Sequence, residues 1–295
     1  MSCSVAPSQR NAIPQSSNLR RHAEPFHADA QAQAEAALEA EIEQSIQENM
    51  SAGHLIDSDF TFLNQRLARH YGIPGVVGQE MRKVSLPAES PRGGLMTMAS
   101  VLQVTTDGFD TSPILRGAWI SKNIVGTPLS PPPESVPALE PQHDHAETLK
   151  EQIEQHKKSK ACYACHKSID PYGFALENFD AVGEWRETYK IKQAHRGTFQ
   201  YRPKGYFKMG GSVDASGEIN GDEFRNIFGL KKVLLADECK IAYNFAKKFF
   251  EYANGHEPDL VQRLHLWEFV GRKPENIHLK TLVTEVLEYS LRESK

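Results

Sequence analysis

Apolar residues recur at helical spacing over much of the chain. From Asp29 to Ala52, Leu38, Ile42, Ile46 and Met50 fall four apart in an Ala-, Glu- and Gln-rich stretch, which predicts one amphipathic helix ending at Gly53. A second helix is predicted with Phe60, Leu63, Leu67 and Tyr71 on its face, capped by Ser58 or Asp59 and stopped by Gly72 and Pro74. Residues 75–117 are broken by Gly and Pro. Within them Leu95 to Val104 suits a short buried helix or strand, and Trp119, Ile120, Ile124 and Val125 predict another short helix that Gly126 and Pro128 end. Ala146 to Lys160 reads as a helix with Leu149, Ile153 and His156 on one face. Asp237 opens a long helix to Asn254, with Ile241, Ala242, Phe245, Phe249 and Tyr252 as its apolar side and Gly255 as its stop. Two more, Leu260–Phe269 and His278–Leu291, finish the chain, the last with Leu279, Leu282, Val283, Val286 and Leu287 on one face. Asp170-Pro171-Tyr172-Gly173 reads as a turn, and short strands can form between Tyr189 and Gly221, where the sequence is polar, aromatic and Gly-broken. The fold class is therefore mainly α.

Proline divides the chain. Pro128-Leu129-Ser130-Pro131-Pro132-Pro133, continuing to Pro137 and Pro141, excludes helix and favours an extended polyproline stretch, a stiff connector or a ligand for an aromatic groove. The expected organisation is a tail at 1–28, a helical, loop-rich N-terminal domain at 29–127, a connector at 128–145, and a second domain at 146–295. The helix that leads into Cys162 is expected to pack against the Phe-rich helix Asp237–Asn254.

Composition narrows the functional classes. At 295 residues with a net charge of -4 and interspersed acids and bases, the chain carries no electrostatic footprint for nucleic acid or an anionic membrane face. No run of 18 apolar residues exists, so no transmembrane segment is expected. Met1 to Ala28, rich in Ser, Gln, Asn and Pro, lacks the apolar core of a signal peptide. No Ser-His-Asp order, phosphate-binding Gly loop or His-Glu-x-x-His pattern is present.

The chemistry concentrates at Cys162-Tyr163-Ala164-Cys165-His166. Two cysteines two residues apart with a histidine directly after the second form the c-type haem attachment pattern, in which each thiol adds to a haem vinyl and the histidine ligates the iron. One helical turn places both sulfurs on the same side of the macrocycle edge. With four cysteines and twelve histidines in the whole chain, chance is a poor explanation. A zinc site is the first rival, but the adjacent Cys165 and His166 fit poorly into one tetrahedron. A thioredoxin-like redox pair is the second, and it should follow a strand, whereas the residues here read as helix. Haem c attachment normally takes place outside the bacterial inner membrane. A periplasmic or otherwise exported location, with the true start and its signal upstream, is therefore expected. Cys3 and Cys239 are expected to be unpaired thiols.

The sixth iron position decides what such a haem does. Met209, in Lys208-Met209-Gly210-Gly211, is the distal candidate, a thioether that would raise the potential; His156, His195 and Met98 are weaker candidates, and an open position is an alternative. Glu177, Asn178 and Asp180 read either as proton donors beside a bound ligand or as ties for the loop around His166, whose second nitrogen needs a carbonyl or carboxylate. Trp185, Arg186 and Tyr201 are candidate donors to haem propionates.

Several strings together resemble a family of large haem-motif proteins abundant in planctomycetes, known as consecutive domains of unknown function (1592, 1588 and 1585) with cytochrome-type domains. They are DFTFLNQRLARHYGIPGV from Asp59, the run from Ser90 to Gly117 ending in TSPILRG, the Pro-rich run, CYACHKSIDPYGFALENFDAVGEWR, and the late VDASGEINGDEF. The resemblance runs from about Asp57 to the C-terminus, and its members are longer at the N-terminus. It implies a cytochrome c-like haem domain after the connector, an exported location, thioethers at Cys162 and Cys165 and axial ligation by His166. Asp170, Pro171, Gly173, Glu177, Asn178, Asp180 and Gly183 match its signature without an assigned role. Three functions are expected from these readings: electron transfer to an unknown redox partner protein, a haem enzyme reacting with peroxide or another small oxidant at an open iron, or a non-catalytic surface-assembly module with structural haem.

Overall fold

The computed structural model describes residues 28–106, 110–127, 129, 149–156, 160–192 and 207–293. The first part of the chain comprises α1 (Ala28–Gln47), a 3-10 turn at Ala52–Leu55, β1 (Phe60–Leu63), α2 (Gln65–Tyr71), β2 (Arg82–Ser85), a second 3-10 turn at Leu95–Thr97, and α3 (Ala99–Val104). Next comes α4 (Pro113–Ile120), which continues as a π turn over Ser121–Val125 and ends at Gly126. Then follow α5 (Leu149–His156), α6 (Lys160–Phe174), β3 (Thr188–Lys192), β4 (Phe207–Ser212), β5 (Gly217–Ile219) and β6 (Asp222–Phe224). The chain closes with α7 (Ile227–Leu235), α8 (Glu238–Asn254), α9 (Leu260–Arg272), a 3-10 turn at Pro274–Ile277 and α10 (Leu279–Glu293). The protein is mainly α. Among the described residues the strands form three separate antiparallel pairs, β1–β2, β3–β4 and β5–β6, and no helix is long and apolar enough to cross a membrane.

Local capping sets several boundaries as predicted. Asp237 caps α8 by accepting from the Lys240 N–H, and Gly255 ends it at φ 75°. The buried side of α8 is shifted from the expected one, however. Ile241, Ala242, Ala246 and Phe250 are buried, Phe245 and Phe249 are only partly covered, and Tyr252 is 85% exposed.

Phe60 to Leu63 form a strand, not the first turn of a helix, because β2 lies beside them with Phe60 opposite Ser85 and Leu63 opposite Arg82. The α2 helix starts later, at Asn64, whose side chain accepts from the Arg66 and Leu67 N–H groups. The face of α1 also differs. Ala30, Ala34, Ala37, Glu41 and Ser45 are its buried line, while Leu38, Ile42 and Ile46 flank it half-buried. Glu41 is 2% exposed and accepts from the Ser58 hydroxyl at 2.8 Å; burial raises its pKa, against that hydrogen bond.

One large core joins elements from both ends of the chain, from Ala52 and Ile56 through Ile120, Leu176 and Phe179 to Phe250 and Val286. Packing is thus continuous between 29–127 and 146–295. The proposed tail and connector lie outside the described residues, Ala28 and Leu129 apart. A smaller cluster gathers Ala34, Ala37, Leu63, Leu67, Ala68, Met98 and Ala99. The principal partners of α8 are α9, α10, the Ala52–Leu55 turn and the Ser121–Val125 turn. Among the described residues, the helix before Cys162 is not one of the principal partners of α8. Within α5, Ile153 is fully buried, and Lys150 donates to Asp214 Oδ2, Ser216 O and Ser216 Oγ, each at 2.8 Å.

The most extensive helix–helix contact is between α4 and α6. Glycine makes it. A Cβ at Gly117 would lie 2.0 Å from the Ile169 carbonyl oxygen, and one at Gly173 would lie 1.8 Å from that of Pro113, so the two backbones touch where any side chain would separate them.

Candidate functional site

The Cys-x-x-Cys-His motif lies inside α6 and not at the end of the preceding helix. Positions 162, 165 and 166 are spaced i, i+3 and i+4, which share one face of a helix. The helix does not stop at Asp170-Pro171-Tyr172-Gly173, which sequence alone reads as a turn; Pro171 is carried within it. The contact with α4 explains the difference, since Gly173 and Ile169 are docked backbone to backbone on Pro113 and Gly117, outweighing the lost Pro171 N–H.

That extra turn of helix creates the central interaction of the site. Asp170, at i+4 from His166, places Oδ1 2.9 Å and Oδ2 3.1 Å from His166 Nδ1. The Asp170 side chain is 0% exposed and that of His166 is 12% exposed. A carboxylate oxygen accepts, so Nδ1 is the donor in this contact, and a neutral ring in that tautomer has its lone pair on Nε2. A histidine that ligates a metal through Nε2 needs this arrangement. The residues present therefore fit an axial histidine. Among the described residues, no group of three or more His, Cys, Asp and Glu side chains converges as a metal site.

A loop held by two arginines follows α6. Glu177, 1% exposed, accepts from Thr111 Oγ1 at 2.9 Å and from Arg186 Nη2 at 2.9 Å, and lies 3.5 Å from Arg116 Nη1. Arg116 reaches across from α4 and donates to the carbonyls of Leu176 (3.0 Å), Phe179 (2.6 Å) and Asp180 (2.7 Å). Burial pushes the Arg116 guanidinium down to about 10, against the pull of Glu177. Burial, and then the Glu177 charge, raises the Tyr189 phenol. Asp180 Oδ1 accepts from the Val182 and Glu184 N–H groups at 3.0 and 2.9 Å, and Asn178 Nδ2 donates to the Arg186 carbonyl at 2.9 Å.

The string TSPILRG becomes intelligible in this setting. Thr111 holds Glu177, Ser112 caps α4 by accepting from the Leu115 N–H, and Pro113 occupies the first turn. Arg116 braces the loop and Gly117 admits α6. Arg92 adds a further brace. It donates to Gly183 O at 2.6 Å and Thr97 O at 3.0 Å, and its guanidinium lies 3.7 Å from the Tyr71 ring and 5.2 Å from that of Phe179.

The structure thus gives Glu177, Asn178 and Asp180 tying contacts within the loop. The carboxylate on His166 belongs to Asp170, whose role sequence reading left unassigned although the i, i+4 spacing was a signal for it. Arg186 is engaged with Thr111 and with Glu177, through its side chain and its carbonyl, and Trp185 packs edge-on against Phe179 with ring centroids 5.3 Å apart. Met209 lies in β4, not in a loop, opposite Lys190 and 64% exposed. Met98 is 3% exposed and fills the smaller core cluster. His156 is the last residue of α5. Cys239 is an exposed free thiol. Cys3, His195 and Tyr201 lie outside the described residues.

The fold and site define a mainly α protein in which a Cys-x-x-Cys-His helix is docked by glycine contacts and followed by an arginine-held loop. Residues 92–189, which contain this whole assembly, match the family described as a protein of unknown function, DUF1588. Residues 9–73 match a second family of the same description, DUF1592. Likeness to these families therefore extends upstream of Asp57, into the stretch that composition reads as a tail. No curated protein and no solved structure matches the chain.

Proposed function

We propose that this protein binds haem c covalently on α6 and passes single electrons to a redox partner protein, as part of an exported, planctomycete-type cytochrome-like protein. The observation that carries the reading is the buried Asp170 carboxylate on His166 Nδ1, within a helix bearing the attachment pattern. Cys162 and Cys165 would hold the haem by thioethers and His166 would ligate it through Nε2. When bound, the haem supplies one-electron chemistry at its iron. Met209 is the proposed distal ligand.

The residues around the motif keep its helix still. Gly117 and Gly173 fix the axis of α6 against α4, Asp170 fixes the imidazole, and Arg116 fixes the chain that leaves the helix. Such an orientation limits the reorganisation that would accompany a change of charge.

The test is covalent attachment. Expressed with a signal peptide and the haem maturation machinery, the denatured polypeptide is expected to retain haem absorbance, and Cys162→Ala with Cys165→Ala to lose it. A denatured wild-type chain without haem absorbance refutes the reading. Low-spin bands in both oxidation states support electron transfer, whereas high-spin ferric bands with rapid peroxide reaction would make the protein an enzyme.

A further inference from the structure

His166 Nδ1 is held by an acidic side chain and not by a backbone carbonyl. Both carboxylate oxygens of Asp170 approach Nδ1, at 2.9 and 3.1 Å, and the carboxylate is fully buried. When ionised, a carboxyl group so buried acts in a low effective dielectric, and its influence on the ring is stronger than that of the same group in water. Drawing the Nδ1 proton toward Asp170 moves electron density through the ring to Nε2 and makes that nitrogen a more anionic donor. Ferric iron carries one more positive charge than ferrous and gains more from such a ligand.

We propose that Asp170 is a positioning residue that biases a haem on α6 toward the ferric state, so that the site works as an electron donor of lowered potential. The inference rests on the haem reading above. The geometry that carries it is over-determined. Ile169 and Gly173, on either side of Asp170 in the helix, are the residues whose backbones touch Gly117 and Pro113, so α6 has little freedom to turn Asp170 away from the imidazole. The other acids of the same signature make their contacts elsewhere, Glu177 with Arg116, Arg186 and Thr111, and Asp180 with the amides of residues 182 and 184. A thioether from Met209 would act in the opposite sense, and the two levers separate by mutation.

Asp170→Asn keeps the shape and an acceptor oxygen but removes the charge. In the matured full chain, spectroelectrochemical titration is expected to show the ferrous-to-ferric ratio at a fixed potential rising at least tenfold, an upward shift of at least 59 mV for a one-electron couple. Haem attachment at Cys162 and Cys165 should persist. A mature Asp170→Asn protein with the wild-type potential overturns the inference and leaves the haem reading standing; a wild-type chain that carries no covalent haem overturns both. Should the variant fail to fold, nitrogen NMR of His166 in the ferrous wild-type protein decides. A protonated Nδ1 with a strongly downfield proton supports the inference, and an ordinary proton position, as for a ring bonded to a neutral acceptor, overturns it.

Discussion

Replacing Gly117 by alanine tests how the motif helix is held. On propensity alone the change should stabilise α4 by up to about 1 kcal/mol. The structure predicts the opposite sign. The new Cβ would lie 2.0 Å from the Ile169 carbonyl oxygen, where ordinary contact begins at 3.4 Å, so the two backbones must part by about 1.4 Å. Arg116 is the preceding residue, and its bonds to the carbonyls of Leu176, Phe179 and Asp180 are 2.6 to 3.0 Å long; a shift of that size takes them beyond hydrogen-bonding range. Overpacking costs about 1–3 kcal/mol, and two or three weakened charge-assisted bonds add about 1.5–3 each where they are fully lost. With partial relaxation and the propensity gain set against these, the expected loss is about 2–5 kcal/mol, read as a lower urea midpoint at unchanged slope. Gly271→Ala is the control. It lies in α9 with nothing within 4 Å of its Cβ and should be neutral or stabilising by up to about 1 kcal/mol. If Gly117→Ala is as stable as wild type within about 0.5 kcal/mol, the close approach does not exist and the reasoning about α6 fails with it.

Phe250→Ala should cost about 3–5 kcal/mol in the same assay, and Phe245→Ala or Phe249→Ala less than half as much, because Phe250 is 2% exposed and the other two are only partly covered; an equal loss at all three would contradict the packing of α8. Glu41→Gln should change how stability depends on pH. Its carboxyl has a raised pKa in the folded protein, so the stability it confers is complete below the usual value of 4.5 and is lost as pH rises through the folded value. Relative to the Gln variant, wild type should therefore weaken as pH rises above 4.5, and urea midpoints that run parallel would exclude it. Met209→Ala in the matured protein should turn the ferric spectrum toward high spin and lower the potential if the thioether is the sixth ligand; an unchanged spectrum removes Met209 and directs attention to His156 and His195.

Features set by neighbours in sequence were legible from the chain. Asp237 and Gly255 bound α8 as expected, and Gly126 ends the segment that begins at α4. What failed depended on partners far away. Phe60 and Leu63 have helical spacing, but β2, a polar stretch with no strand signal of its own, claims them. Asp-Pro-Tyr-Gly carries turn residues, yet two glycines meeting backbone across α4 and α6 extend the helix through it. The attachment motif was visible because its spacing is local. Asp170 was hidden behind the turn reading, and the Arg116 network was hidden because it closes over 60 to 64 residues.

The two segments that match families are packed against each other. Arg92 opens the second matched segment, and its guanidinium is buried against the Tyr71 ring of the first; His70, also of the first, donates from Nε2 to the Val182 carbonyl of the second at 2.6 Å. Burial holds the Arg92 guanidinium at about 10, so a chain that lost the first segment would leave that cation against a vacated wall. Each matched segment thus completes the packing of the other, and removing the first should lower the stability of the second.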